Sequence, residues 1–171
     1  MSQYFIGTYT NWCKEYCDEQ FFKRLGEIQR EKDTAVWIVD NTDPRKHDYL
    51  NNIAALIRRY MHNEQTFMTN VGVNHPDHKF HHNVLESALH IRGRFLTGNC
   101  EYLLIIESDV IPPVDLLSRL EETIAALPDD WGVLGCLYYE GFHDYSKTGI
   151  HETHHALSGC KVYKREVIER Y

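Results

Sequence analysis

The sequence Tyr102-Leu103-Leu104-Ile105-Ile106-Glu107-Ser108-Asp109 is an apolar run that ends abruptly in two carboxylates. Its apolar residues are consecutive rather than alternating with polar ones, which is typical of a central strand covered by helices on both faces of a sheet. A run of this length also fits a strand better than a helix. We therefore predict a buried strand over residues 102–106, with an acidic pair at its carboxyl end.

Segments with strand and helix patterns alternate along the rest of the chain. A helical period first places Phe22, Leu25 and Ile28 on one face, and similar periods recur later. This alternation favours an α/β fold with a single Rossmann-like open sheet, mixed but mostly parallel, flanked by helices. The predicted strands also cover residues 3–8, 34–39, 66–71, 132–139 and 159–163, and the later helices cover 49–61, 83–96 and a segment that Pro112 and Pro113 open.

The bulk composition bounds the class of protein. With 171 residues, of which 43% are hydrophobic, the chain is long enough for one globular domain with a proper core. The net charge of -7 argues against a nucleic-acid backbone as the main partner, because phosphate neutralisation requires a dense Lys and Arg surface. A small anionic ligand is compatible with this charge when a metal ion screens it.

The expected localisation rests on the termini and the cysteines. No apolar stretch approaches the roughly 20 residues of a membrane-spanning helix, and the first residues lack the basic and apolar regions of a secretory signal. The five cysteines are odd in number and lack CxxC spacing, so neither a disulfide framework nor a cysteine zinc site is indicated. We expect a cytoplasmic protein.

Polar side chains follow three of the predicted strands, and in sheets of this kind ligands bind beyond the carboxyl ends of the strands. Hydroxyl and amide groups at residues 9–11 are expected to interrupt the first strand. Asp40 and Asp43 follow the second strand, and Glu107 and Asp109 follow the fourth. The alternative interpretation of Asp40 and Asp43 is as turn and helix-cap residues.

The acidic pair after the apolar run indicates a bound cation. Glu107 and Asp109 would repel each other and lose solvation at the exit of a buried strand unless positive charge lay beside them. A divalent metal is the simplest partner, because Mg²⁺ and Mn²⁺ prefer oxygen ligands and commonly bind through one or two carboxylates plus substrate phosphates. The alternative is a solvated acidic turn.

Four segments resemble, in their order, the nucleotide-sugar half of the family 2 and related glycosyltransferases with the glycosyltransferase A (GT-A) fold. The first two are similar to the family's first-strand loop and acidic second-strand end, the third to its D-x-D strand, and the fourth to a later glycine-containing strand. Glu107 stands in place of the usual first Asp of D-x-D. The segments are Ile6-Gly7-Thr8-Tyr9-Thr10-Asn11, Trp37-Ile38-Val39-Asp40-Asn41-Thr42-Asp43, Leu103-Leu104-Ile105-Ile106-Glu107-Ser108-Asp109-Val110-Ile111-Pro112-Pro113 and Leu157-Ser158-Gly159-Cys160-Lys161-Val162-Tyr163-Lys164-Arg165.

This resemblance implies a metal-dependent glycosyltransferase, of the hexosyltransferase type, that moves a sugar from a nucleoside-diphosphate sugar to an acceptor with Mn²⁺ or Mg²⁺ as cofactor. Residues 1–113 would bind the donor, and residues 114–171 would form a short acceptor half. The base and ribose would be held after the first two strands, and the metal after the fourth. The implied donor-binding residues are Thr8, Tyr9, Asn11, Asp40 and Glu107, with Asp109 as a metal ligand.

The general base is left open by the sequence. Inverting enzymes of this type usually carry an Asp or Glu after the glycine-containing strand, and the sequence stops at residues 165–171, just inside the helix expected there. Either the chain is a fragment or minimal version of a longer enzyme, or another carboxylate serves, or the mechanism retains configuration and needs no such base. The candidate carboxylates are Glu140, Asp144 and Glu152.

A histidine-rich segment has two further interpretations. His151-Glu152-Thr153-His154-His155 satisfies the HExxH motif of zinc hydrolases, but its surroundings predict a loop rather than the helix that this motif requires. In the transferase interpretation His155, or less favourably His151 or His154, would complete the metal site. The main rival function is a non-catalytic or degenerate nucleotide-sugar-binding module. Nucleotidyltransferases and dehydrogenases are disfavoured, because the first loop lacks their glycine-rich sequence.

Overall fold

The computed structural model describes residues 3–72, 80–135 and 159–170. Within these residues, short 3-10 helices cover Trp12–Lys14 and Asn63–Gln65. The strands are β1 Tyr4–Thr10, β2 Ala35–Asp40, β3 Thr66–Asn70, β4 Tyr102–Glu107, β5 Val133–Gly135 and β6 Cys160–Lys164. The helices are α1 Glu15–Lys32, α2 His47–Tyr60, α3 Phe80–Leu96, α4 Leu116–Ala125 and α5 Arg165–Arg170.

The strands form one six-stranded sheet in the order β3-β2-β1-β4-β6-β5. β3, β2, β1 and β4 run parallel, whereas β6 is antiparallel to both β4 and β5. The predicted fold class, a mixed and mostly parallel sheet with alternating strands and helices, is confirmed. Because β1 and β4 lie next to each other in the middle of the sheet, their carboxyl ends meet at its centre.

Helices cover both faces of the sheet, as the consecutive apolar residues of β4 predict. On one face Ile6 and Leu104 pack with the buried side chains of α1, α2 and α4. On the other face Phe5 and Leu103 pack with Ile91 and Phe95 of α3. Each fully buried side chain of this size contributes about 1.5–3 kcal/mol through removal of apolar surface from water. The two apolar layers fix the sheet between the helices.

The structure changes the end of the predicted first strand. The sequence predicts an interruption after residue 8, but β1 continues to Thr10. Thr10 pairs with Asp40 of β2, and Tyr9 pairs with both Val39 of β2 and Glu107 of β4. Strand pairing on both sides therefore extends β1 through residues whose local composition favours a turn.

Two later predictions also shift. Pro112 and Pro113 do not begin a helix: α4 begins at Leu116, after a turn in which the Leu116 amide donates to the Pro113 carbonyl at 3.3 Å. The strand predicted over residues 132–139 is β5, described over Val133–Gly135, and the rest of that prediction lies outside the described residues. Within the described ranges, no helix has both the length and the apolar composition needed to cross a membrane.

Candidate functional site

The polar residues predicted to bind a donor meet at the carboxyl edge of the sheet. The register pairs Thr10 with Asp40 and Tyr9 with Glu107, so the ends of β1, β2 and β4 are aligned side by side. Asn11 directly follows β1, and Asp109 lies two residues beyond the end of β4. The parallel sheet therefore brings together the three segments that the sequence singled out.

Asn11 joins the loops that follow β1 and β2. Its side-chain amide donates to Asn41 Oδ1 at 2.7 Å and to the Asn41 carbonyl at 3.3 Å. Its side-chain oxygen accepts from the Cys13 amide at 3.0 Å and so caps the 3-10 helix. The next residue, Trp12, is 44% exposed at this edge, and Lys46 Nζ lies 4.6 Å from its ring centroid. Asn11 thus positions an exposed aromatic ring beside the strand ends.

Asp40 is buried and bonded within the protein. One oxygen accepts from the Thr42 amide at 3.2 Å and the Thr42 hydroxyl at 2.6 Å, and the other accepts from the Asn70 side chain. Burial raises the pKa of Asp40, and these hydrogen bonds oppose the increase. In the described conformation the carboxylate ties β2 to β3 and holds the turn after β2. This is the turn role that the sequence offers as the alternative to donor binding.

Thr8 is also buried. Its hydroxyl has no hydrogen-bond partner within the described residues, and the same is true of the Ser108 hydroxyl. Thr8 shares one face of β1 with Ile6 and Thr10, because side chains alternate along a strand. Tyr9 points to the opposite face, and burial and the nearby Glu107 carboxylate raise the pKa of its hydroxyl. Tyr9 therefore remains a neutral ring beside the acidic pair.

Lys14 lies beside the acidic pair. Its Nζ is 3.0 Å from Asp109 Oδ1 and 3.9 Å from Glu107 Oε2, and it lies 5.7 Å from the centroid of the Tyr9 ring. The side chain of Lys14 is 14% exposed and that of Asp109 is 34% exposed. The positive neighbour that the two carboxylates require is thus supplied by a lysine. The available sequence signal was that Lys14 is the first basic residue after β1.

Glu107 connects the acidic pair to the start of β6. Its backbone amide donates to the Gly159 carbonyl at 2.7 Å, and its Oε1 accepts from the Gly159 amide at 3.0 Å. Gly159 has a φ of 105°, in the left-handed region that favours glycine. The glycine noted in the sequence is therefore required by the backbone where β6 begins, directly beside Glu107.

The side-chain atoms around Asp109 are compatible with a bound divalent ion. This carboxylate is partly exposed and already attracts an ammonium group, so the position favours positive charge. One or two carboxylates plus substrate phosphates are enough for Mg²⁺ or Mn²⁺. Within the described ranges no group of three or more His, Cys, Asp or Glu side chains could hold a metal. The predicted ligand His155 and the candidate bases Glu140, Asp144 and Glu152 lie outside those ranges.

The comparisons with known proteins show similarity at the level of the fold. No protein-family model matches the sequence, and no curated protein matches it. The structure is similar to that of S. aureus TarS (residues 1–349), with a TM-score of 0.63 and 14% identity over 99% of this chain and 49% of TarS. It is also similar to the mannosyltransferase PcManGT from Pyrobaculum calidifontis in complex with GDP-Man and Mn²⁺, with a TM-score of 0.57 and 17% identity over 98% of this chain and 46% of PcManGT.

Mouse xyloside xylosyltransferase 1 has a TM-score of 0.52 and 8% identity, and the alignment covers 98% of this chain and 69% of that protein. PcManGT is named a mannosyltransferase and the mouse protein a xylosyltransferase, and the chain has a GT-A-like fold. The chain spans about half the length of TarS and PcManGT. At these identities the likeness is one of fold.

Proposed function

We propose that this chain binds a nucleoside-diphosphate sugar at the carboxyl edge of its sheet and acts as a metal-dependent glycosyltransferase. The observation that carries this proposal is the meeting of three polar strand ends around the partly exposed Asp109 in a GT-A-like fold. Ligands of open α/β sheets bind at this edge, where the strand order reverses. The order β2-β1-β4 makes the gap between β1 and β4 such a position.

The proposed roles follow from exposure. Asp109 is the metal ligand, and Glu107 is the charge near the ribose that also holds Gly159. A divalent ion bound here would neutralise the diphosphate leaving group as the bond to the sugar breaks. Trp12 offers an exposed ring at the edge, whereas Thr8, Tyr9 and Asp40 are buried and act from beneath it by shaping the strand ends.

The proposal also includes an acceptor half. Residues 114–171 would contribute the acceptor side, and one of Glu140, Asp144 or Glu152 would act as base in an inverting reaction. A retaining reaction would need no such base. Transfer of a hexose and completion of the metal site by His155 remain proposals. The PcManGT complex with GDP-Man and Mn²⁺ makes GDP-mannose one of the first donors to test.

The test is Mn²⁺-dependent hydrolysis or transfer from a panel of UDP-, GDP- and TDP-sugars. Asp109→Asn removes the charge of the proposed metal ligand while keeping its size, so we expect turnover to fall by about 100-fold or more. Glu121→Gln is the matched control: Glu121 is also paired with a lysine, Lys32 at 2.9 Å, but lies away from the strand ends. Its turnover should equal that of the unaltered chain.

Three outcomes separate the alternatives. Normal turnover in Asp109→Asn would contradict the metal role of Asp109. Donor binding without turnover, measured by calorimetry with each nucleotide sugar, would replace the enzyme with a nucleotide-sugar-binding module. Neither binding nor turnover with any donor of the panel would contradict the proposed function itself.

A further inference from the structure

We propose that Lys14 and a divalent cation compete for Asp109. In the described structure the Lys14 ammonium occupies the position beside both carboxylates, 3.0 Å from Asp109 Oδ1 and 3.9 Å from Glu107 Oε2. Asp109 would therefore bind a metal ion more tightly once the Lys14 ammonium has moved away from it. This inference rests on the proposed role of Asp109 as a metal ligand and assigns Lys14 as the residue that controls access to it.

The competition follows from geometry and charge. Mg²⁺ and Mn²⁺ bind carboxylate oxygen at about 2.1 Å, so a metal on Asp109 would lie within about 5 Å of an ammonium that still contacts the same carboxylate. The 5 Å separation applies to a metal on Asp109 Oδ1, the oxygen that Lys14 contacts at 3.0 Å. Like charges at that distance repel strongly where the surroundings are partly buried. Lys14 is 14% exposed, so little water is available to screen the repulsion.

The backbone of Lys14 is held in place, whereas its side chain can move. Its backbone is fixed because the Lys14 amide donates to the Asn11 carbonyl at 2.8 Å and its carbonyl accepts from the Cys17 thiol at 3.1 Å. Its side chain, in contrast, is a flexible stem that carries a point charge. The ammonium can therefore leave Asp109 without a change in the backbone, and the diphosphate of a donor at the same edge would offer it a new anionic partner.

The test measures Mn²⁺ binding to the nucleotide-free protein by electron paramagnetic resonance of free Mn²⁺. Lys14→Met removes the competitor and keeps the length of the side chain, so we expect it to bind Mn²⁺ about ten-fold more tightly than the unaltered chain. The gain should disappear in the double variant Lys14→Met/Asp109→Asn. Lys32→Met is the matched control, because Lys32 and Lys14 are both ion-paired lysines at opposite ends of α1, roughly 27 Å apart along an 18-residue helix.

Circular dichroism checks that each variant is folded, and Lys14→Gln replaces Lys14→Met if the latter is not. Lys14→Arg keeps the charge and should bind Mn²⁺ as weakly as the unaltered chain. Equal or weaker Mn²⁺ binding after loss of the Lys14 charge, or no binding at all, would overturn the competition. Tightened binding without any sugar turnover would overturn only the proposed function, so the two failures are distinguishable.

Discussion

Asp18 is a buried carboxyl beneath the carboxyl edge of the sheet. It lies in the first turn of α1, is 2% exposed, and its Oδ1 accepts from the Thr10 hydroxyl at 3.4 Å. The Thr10 hydroxyl also bonds to the Tyr49 hydroxyl at 2.8 Å, while Asp18 Oδ2 has no partner in the described part of the chain. Burial raises the pKa of Asp18 to about 6, while the nearby Tyr49 and Thr10 hydroxyls oppose the increase.

This pKa predicts a pH dependence of stability. Between the usual pKa of 3.8 and the folded value of about 6, the folded chain binds the Asp18 proton and the unfolded chain releases it. The Asp18 contribution to the free energy of unfolding is therefore lost as pH rises from about 4 to about 6, by roughly 2–3 kcal/mol. Asp18→Asn removes the titration, so urea unfolding at several pH values should show this loss in the unaltered chain relative to the variant. A constant difference between the two across pH 4–7 would contradict the assignment.

Part of the candidate site was predictable at the scale of single residues. The position of Glu107 and Asp109 at the carboxyl end of a buried strand was predictable, because the apolar run before them is a local signal. Their partner was not, since Lys14 comes close only through the 3-10 helix after β1. Likewise the bond from Asn70 to Asp40 joins residues 30 positions apart, and only strand pairing reveals it.

At the scale of elements, two helical glycines have different surroundings. Gly26 lies inside α1, and a Cβ added there would be 2.1 Å from the carbonyl oxygen of Tyr60, at the end of α2. That carbonyl also accepts from Arg30 at 2.8 Å, so the two helices are held closely at this point. Gly93 lies inside α3, and an added Cβ would meet nothing within 4 Å. Gly26 is required by packing, and Gly93 is not.

These surroundings predict opposite effects of the same substitution. Gly26→Ala should lower the free energy of unfolding by about 1–3 kcal/mol, because a backbone atom must move to admit the methyl group. Gly93→Ala should raise it by about 0.5–1 kcal/mol, because alanine restricts the unfolded chain and favours the helix. Urea unfolding of the two variants, with identical buffer and temperature, measures both. A stabilising Gly26→Ala would show that α1 and α2 pack less closely than described.

The elements themselves were largely predictable because their signals are local. The apolar run of β4 and the helical periods of α1 and α2 each lie within a few turns of chain. The predicted end of β1 was wrong because the length of a strand depends on its pairing partners. The local sequence of residues 9–11 contains no information about pairing with β2 and β4. The predicted start of α4 was also wrong. Two consecutive prolines favour the first turn of a helix, but the chain makes a separate turn after them and the helix begins only at Leu116.

At the scale of the whole molecule, the negative net charge and the proposed anionic donor must be reconciled. The net charge is -7, so long-range attraction does not bring a diphosphate to this protein. The carboxyl edge nevertheless holds Lys14 and Lys46 on the loops that follow β1 and β2. Local cations, joined by a metal ion in the proposed function, would then offset the repulsion at this edge alone.

This reasoning predicts where hydrogen exchange responds to a ligand. With Mn²⁺ and saturating UDP or GDP, the amides of residues 11–14, 41–46 and 108–111 should exchange more slowly, because these loops follow β1, β2 and β4 at the proposed site. Residues 97–101, which precede β4 at the opposite edge, serve as the internal reference and should not change. The protection should weaken in Asp109→Asn, since the metal is expected to link the diphosphate to that side chain. Protection centred on residues 97–101, or equal protection in the variant, would contradict a donor site at the carboxyl edge.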